Sequence, residues 1–418
     1  MSWNKVTLGE ISSNIQTGPF GSQLHQSDYS GEGTPVVMPK DLVNGHISEV
    51  SIARVSEDHV SRLSRHKIEV GDILYSRRGD VGRCAFATDV EQGWLCGTGC
   101  LRVTVDKSKV IPKFVFYQLQ KAETVGWVEK HAVGATMLNL NTSILSSVPI
   151  EIPFIEEQQK IVDTLSAYDD LIENNQKQIK LLEEAAQRLY KEWFVDLRFP
   201  GHETTPVVDG VPEGWQRKTV AECLSFHGNG GWGKETPMGK NEHPGKVIRG
   251  TDIEDVKAGR FNDVPLRYHT DNDIKKRVLK NYDLVFELSN GNINNIGRCL
   301  LIDDLVLRNC GENTICASFC KLLRPIDCLH SLVLYWEIQD MQTSGRILPL
   351  KKHGANGINN FDFYGFLNHE LLIPNNVEMF APLKTIMTTI SIIQGQFALL
   401  TEARDRLLPK LMSGEIEV

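Results

Sequence analysis

The run IVDTLSAYDDLIENNQKQIKLLEEAAQRLYKEW, residues 161–193, decides the fold. Within it Ile161, Leu165, Tyr168, Ile172, Asn175, Ile179, Leu182, Ala186, Leu189 and Trp193 step by four and three without a break. That is the seam of a helix packed lengthwise against another, and a strict seven-residue repeat implies a left-handed supercoil. A stretch of roughly 35 to 40 residues at about 1.5 Å each spans about 50 to 60 Å, longer than an ordinary globular helix. A second run, LKTIMTTISIIQGQFALLTEARDRL at 383–407, repeats the stepping at Leu383, Ile386, Ile390, Ile393, Phe397, Leu400, Arg404 and Leu407, displaced by 218 residues. The partner helix is therefore expected in the same chain. Pro382 suits a first helical turn, where a missing N–H is harmless, and Pro409 is expected to end or kink the helix. Asn175 interrupts the apolar seam, its counterpart in the second run being the apolar Ile393, and is open to two readings: a register-setting polar residue or a solvated gap.

Outward from the helices, the chain echoes itself at a spacing of 211 to 221 residues. Trp3 with Val6 to Glu10 returns as Trp215 with Lys218 to Glu222, and Val36 to Leu42 returns as Val247 to Ile253. Gly71 to Tyr75 matches Tyr282 to Phe286, and Val81-Gly82-Arg83-Cys84 matches Ile296-Gly297-Arg298-Cys299. Each half ends alike, at Ile150 to Pro153 and at Leu371 to Pro374, and then enters a long helical pattern. Short β-branched runs such as Leu101 to Val105 lie between Gly, Asn and Asp turns and helical stretches, which predicts mixed α and β structure. The segment from Phe199-Pro200-Gly201 to Pro212-Glu213-Gly214 reads as a linker. The expected organisation is a domain over 1–152, a helix over 153–198, a similar domain with its leading linker over 199–373, and a helix over 374–418.

At 418 residues, 41% hydrophobic and 23% charged, the chain has the composition of an ordinary globular protein with room for several cores. No run of about 18 apolar residues and no signal-peptide pattern is seen, so the expectation is cytoplasmic, with no membrane partner. Nine cysteines, an odd number, argue for reduced thiols. The net charge of -8 argues against nucleic acid unless basic residues gather on one face, because phosphate contacts require Lys and Arg.

The alternation of domain, long helix, similar domain and long helix resembles the specificity subunits of Type I restriction-modification enzymes. The likeness covers nearly the whole chain. Its most specific parts are Ile152-Pro153 with Glu156 to Val162, the stretch Leu182 to Phe194, and Leu407-Leu408-Pro409-Lys410-Leu411-Met412-Ser413-Gly414-Glu415-Ile416, which look like that family's two conserved regions. The resemblance implies two target-recognition domains separated by two antiparallel coiled-coil helices with pseudo-two-fold symmetry. Each domain would read half of a split, asymmetric stretch of double-stranded DNA, with helix length setting the unread gap. It also implies a chain without catalysis or cofactor of its own. Two modification (methyltransferase) subunits holding S-adenosylmethionine would methylate adenine, and restriction subunits using ATP and Mg would cut.

Candidate DNA contacts follow from basic and amide side chains at matching places. Arg62, Arg65, His66 and Lys67 in the first half, and Lys275, Lys276 and Arg277 in the second, suit phosphate contacts or equally a solvated helix end. Lys40 and Arg249 lie on the echoed Val36 and Val247 segments. Arg77 and Arg78 follow a strand-like run, and an arginine reads two guanine acceptors or a phosphate. Their counterpart, Glu287 to Asn295, has no Arg pair but offers Asn290 and Asn292, and asparagine reads adenine; an Asn-rich turn is the alternative. Weaker candidates are the glycine loops Gly18 to Ser22 and Gly228 to Lys234, and Lys351, Lys352 and His353 before Gly354-Ala355-Asn356.

Enzyme signatures fail. Gly228 to Lys234 begins a phosphate-loop pattern, but Glu235 stands where Ser or Thr would hold magnesium. Cys310, Cys316, Cys320, Cys328 and His330 lack the paired spacing of a zinc site. Neither the Asn/Asp-Pro-Pro-aromatic signature of an amino-methyltransferase nor a glycine loop for its cofactor occurs. Two alternatives stand beside the resemblance: a single-chain nuclease or methyltransferase with a diverged site, and a coiled-coil scaffold that binds no DNA.

Overall fold

The structure, a computed structural model, describes residues 3–134, 137–354 and 357–417. It divides into two compact units, Met1–Asp170 with Glu402–Val418, and Leu171–Thr401.

In the first unit a four-stranded antiparallel sheet runs in the order Ser12–Thr17, Cys100–Val105, Ile73–Ser76, Cys84–Phe86. The strand Ile73–Ser76 is buried at every position, Ser76 included, and Ile73, Leu74 and Tyr75 read as a short apolar run instead of alternating. A second sheet carries the strand Thr34–Val37 parallel to Leu95–Cys96. A third pair, Asn4–Thr7 with Pro149–Ile152, ties the start of the domain to the strand that feeds the first long helix. The helix Pro112–Leu119, with proline in its first turn, buries Phe114, Val115, Phe116 and Tyr117 against this framework.

The second unit repeats the plan. Its antiparallel sheet runs Leu224–Asn229, Cys320–Pro325, Leu284–Glu287, Cys299–Leu301. Its parallel pairing of Val247 with Ile315 repeats that of Val36 with Leu95. Its closing pair is Trp215–Thr219 with Glu370–Pro374. The echo noted in sequence is thus an echo of topology. Even a buried acid recurs: Asp72 lies 3.6 Å from Arg102, and Asp283 pairs with Arg324 at 2.6 Å. The stretch read as a linker has structure of its own, a hairpin of Val207–Val208 with Val211–Pro212, and Phe199 packs 5.0 Å from Trp215.

The long helices span Ile155–Tyr190 and Ala381–Met412, 36 and 32 residues. In the first unit Ile161, Val162 and Leu165 share a core with Leu407, Leu408, Leu411 and Met412. In the second, Ala186, Leu189 and Tyr190 share one with Leu383, Ile386 and Met387. The beginning of each helix therefore packs beside the end of the other, and they run antiparallel. Pro409 lies inside the second helix, which ends three residues later; Gly414, at φ +71°, follows, and Gln118 and Lys121 donate to the Met412 carbonyl at 3.2 and 3.4 Å. By length and composition this helix could cross a membrane, but its seam faces protein, with Leu383, Ile390 and Phe397 buried. Truncating a core residue such as Leu165 to alanine removes about 2–5 kcal/mol of stability.

Every seam residue named from sequence is buried or half-buried, Asn175 included, at 7% exposure. Towards the ends the buried face moves by one residue. Tyr190 is more buried than Leu189, Phe194 more than Trp193, and Leu408 more than Leu407. A straight helix turns about 20° per heptad away from a 3.5-residue seam, and after three to four heptads the next residue faces the core. A wide π turn at Lys191–Val195 adds to the displacement.

Candidate nucleic-acid interface

At one edge of the first domain four separate segments are joined by their backbones. The Gly18 amide donates to the Cys100 carbonyl at 2.9 Å, and the Thr98 hydroxyl to the Pro19 carbonyl at 2.8 Å. The Arg77 amide donates to the Gly99 carbonyl at 2.8 Å, and the Leu140 amide to the Arg77 carbonyl at 2.8 Å. Arg78 thereby lies across from Asn139, which also bridges to Val133. The glycine loop, the turn at 97–99, the continuation of the strand Ile73–Ser76 and the loop ending at Asn139 thus form one surface.

The second domain repeats this wiring. Gly230 donates to the Cys320 carbonyl at 3.1 Å, Leu288 to the Phe319 carbonyl at 2.9 Å, and Phe361 to the Leu288 carbonyl at 2.9 Å. Ser289 lies across from Asn360, which in turn faces Lys352. Position for position, Arg77 corresponds to Leu288, Arg78 to Ser289, and Asn139 to Asn360. The frame is shared and its side chains differ.

Gly18 and Gly230 are fixed by sterics, because a Cβ on either would collide with the carbonyl of Gly97 or of Ala317. The glycine loops thus lie tight against the neighbouring turns.

The sequence candidates differ in exposure and in the partners they find. Arg78 is exposed, and Arg77 is half-buried with an enclosed Nε that finds no acceptor among the described residues. Lys275 and Lys276 project from the helix Asp271–Arg277, while Arg277 pairs with Asp273 beside Gly231. Arg62 is exposed 3.8 Å from Asp28, Arg65 is exposed, and the Arg65 carbonyl accepts from Gln16 on the edge strand at 2.6 Å. Lys67 is half-buried in a bridge to Leu95. Lys351 reaches the Asn294 carbonyl and Gln342, both at 3.3 Å, and burial lowers its pKa; Lys352 pairs with Asp362 at 2.7 Å.

Other candidates are engaged within the chain. Arg249 is held by Asp252 at 2.6 Å and by the Asp263 carbonyl, and Lys40 folds back onto the Ser51 carbonyl at 2.8 Å. Asn290 donates to buried Glu287 at 2.6 Å and accepts from the Asn292 amide, while Asn292 accepts from the Asn294 amide, so both shape their own loop. Arg298 closes that loop on Glu287 at 2.8 Å. His66 corrects its place in the phosphate-binding cluster: it is 2% exposed, and burial with the nearby Arg65 and Arg102 charges lowers its pKa to about 4. It is neutral at pH 7 and accepts from Arg65 Nε at 3.0 Å. Ala355 and Asn356 lie outside the described residues.

Asn139, Ser289 and Asn360 were missed in the sequence. The signal was a second echo, Gly134-Ala135 leading to Asn139 and Gly354-Ala355 leading to Asn360, with one residue inserted. The cysteines of the failed zinc reading are free thiols on different elements, and among the described residues no group of three or more His, Cys, Asp or Glu is placed to hold a metal.

Residues 1–184 match the family described as Type I restriction modification DNA specificity domain. The chain is 26% identical over 425 residues to the Type I restriction enzyme MjaIX specificity subunit of Methanocaldococcus jannaschii, covering 94% of this chain and 88% of that protein. It is 30% identical over 198 residues to the HindI specificity subunit of Haemophilus influenzae, covering 46% of this chain and 41% of that one. A crystal structure of the Type I restriction-modification S subunit from M. genitalium superposes with a TM-score of 0.58 at 15% identity, over 98% of this chain and 96% of that one. That likeness is one of fold.

Proposed function

We infer from the repeated edge that this chain, which belongs to the Type I restriction-modification specificity subunits, reads one DNA sequence in two unlike halves. One domain meets each half. The observation that carries the reading is the identical backbone frame bearing Arg77, Arg78 and Asn139 in one domain and Leu288, Ser289 and Asn360 in the other. Equal frames present side chains to equivalent places on a duplex, and unlike side chains select unlike bases.

The chain recognises DNA and leaves the chemistry to its partners. Two methyltransferase subunits, binding S-adenosylmethionine, would methylate an adenine in each half, and restriction subunits using ATP and Mg would cut. Free thiols at all nine cysteines suit a reducing cytoplasm. With a net charge of -8, DNA affinity would rest on localised groups, for which Arg62, Arg65, Arg77, Arg78, Lys275 and Lys276 are the candidates, and on the partners.

Binding of the reconstituted methyltransferase complex to random and target duplexes across a salt series tests the reading. Salt-sensitive binding with a preference for one split sequence is expected. Methylation or cleavage by the purified chain alone would overturn the division of labour, and absence of DNA binding after reconstitution would favour a scaffold.

A further inference from the structure

The glycine loops place one large ring at the same point of both domains. Gly18 and Gly230 are equivalent by their amide bonds to Cys100 and Cys320, so Phe20 and Trp232, each two residues later, are equivalent as well. Phe20 is 56% exposed and Trp232 is 39% exposed. A single exposed aromatic needs no explanation. Two at matching points, on loops whose glycines cannot accept a Cβ and beside the proposed reading edge, do.

The surroundings favour a nucleic-acid base over a protein surface. Arg267 lies over the Trp232 ring at 4.4 Å and pairs with Glu235 at 2.8 Å, which braces the indole from one side. Lys275 and Lys276 stand exposed on the helix whose Arg277 borders Gly231. Phe319, 59% exposed, occupies the adjoining turn, where the first domain has Gly99. In the first domain the turn at 97–99 joins Pro19, the neighbour of Phe20, to Arg77, the neighbour of exposed Arg78. An apolar ring rimmed by cations matches a duplex, whose base stack is apolar and whose flanks are phosphate.

We propose that Phe20 and Trp232 are base-contacting wedges, each pressed against one base step of its half-site, with Phe319 widening the wedge in the second domain. The inference rests on the DNA reading above. Each ring would partly unstack a step, and would favour the flexible pyrimidine–purine steps at which unstacking costs least.

The test uses the full chain reconstituted with its methyltransferase partner and target duplexes carrying 2-aminopurine at successive positions of each half-site. The wild-type complex should raise the fluorescence at one step per half-site besides the adenine that the methyltransferase itself takes out of the stack. Phe20→Ala should abolish the rise in one half-site only and Trp232→Ala in the other, each weakening binding about 10- to 100-fold without changing its salt slope. Phe20→Tyr and Trp232→Phe should restore both readouts. Wild-type binding with no fluorescence change beyond that at the adenine, or alanine variants that bind within twofold of wild type, would overturn the wedge while leaving the DNA reading intact. Failure of the wild-type complex to bind DNA would strike the DNA reading itself, and the wedge with it.

Discussion

Asp169 on the first long helix and Arg404 on the second meet with Oδ1 and Nε 3.3 Å apart, and the Tyr117 hydroxyl donates to the other carboxylate oxygen at 2.6 Å. Arg404 is a charged member of the otherwise mostly apolar seam of the second helix. Its partner is the residue next to seam member Tyr168, and the pair joins both helices to the domain helix Pro112–Leu119. The two side chains are 24% and 13% exposed, so the interaction lies between the surface and buried regimes.

Replacing Arg404 with alanine should therefore leave Asp169 with an incomplete shell and destabilise the first unit by about 1–3 kcal/mol. Thermal melting of Arg404→Ala, Asp169→Asn and the double variant measures this. Fully additive losses would show that the pair is not coupled.

Lys275→Ala and Lys276→Ala should weaken DNA binding alike on target and random sequences, and should lower the slope of log affinity against log salt by about one for each phosphate left unneutralised. Arg77→Ala with Arg78→Ala should instead impair recognition of one half-site. An equal loss on all sequences would reassign the arginines to the backbone, and no loss would remove them from the interface.

Gly18→Ala and Gly230→Ala should each displace a glycine loop, because the added methyl meets a neighbouring carbonyl that belongs to a strand turn. The expected result is a loss of DNA affinity confined to one half-site with a cooperative melt retained. Unchanged target affinity in both variants would show that the loops do not form part of the reading edge.

His66 gives the first unit a pH dependence. Its folded pKa is held near 4 by burial and by the charges of Arg65 and Arg102, against an ordinary 6.5. In that interval the unfolded chain takes up a proton that the folded chain resists. The stabilisation is complete above pH 6.5 and is lost as pH falls towards 4, to a total of about 3 kcal/mol. His66→Gln should flatten the dependence of melting temperature on pH over that window, and an unaltered slope would refute the assignment.

Much of the fold was legible because it is periodic or repeated. The stepping from Ile161 to Leu182 marks a face that every turn must bury, and the echo of Val36 in Val247 marks one topology used twice. The seam slipped where geometry accumulates, at Tyr190 and Leu408, because a small angular error per heptad grows with length. The edge was only partly legible. Arg78 was found by its charge, but Ser289 and Asn360 oppose each other across 71 residues, and only strand pairing brings them together. His66 was misplaced because charge in a sequence says nothing of burial, and Asn290 because its amide is spent on Glu287.

The most direct test of the central claim is sequencing that maps methylated adenines on DNA treated with the reconstituted complex of this chain and its methyltransferase subunits. One asymmetric split sequence, two short specific parts around an unread gap with an adenine modified in each, is the predicted result. A continuous motif, a symmetric one, or no sequence-specific methylation would contradict it.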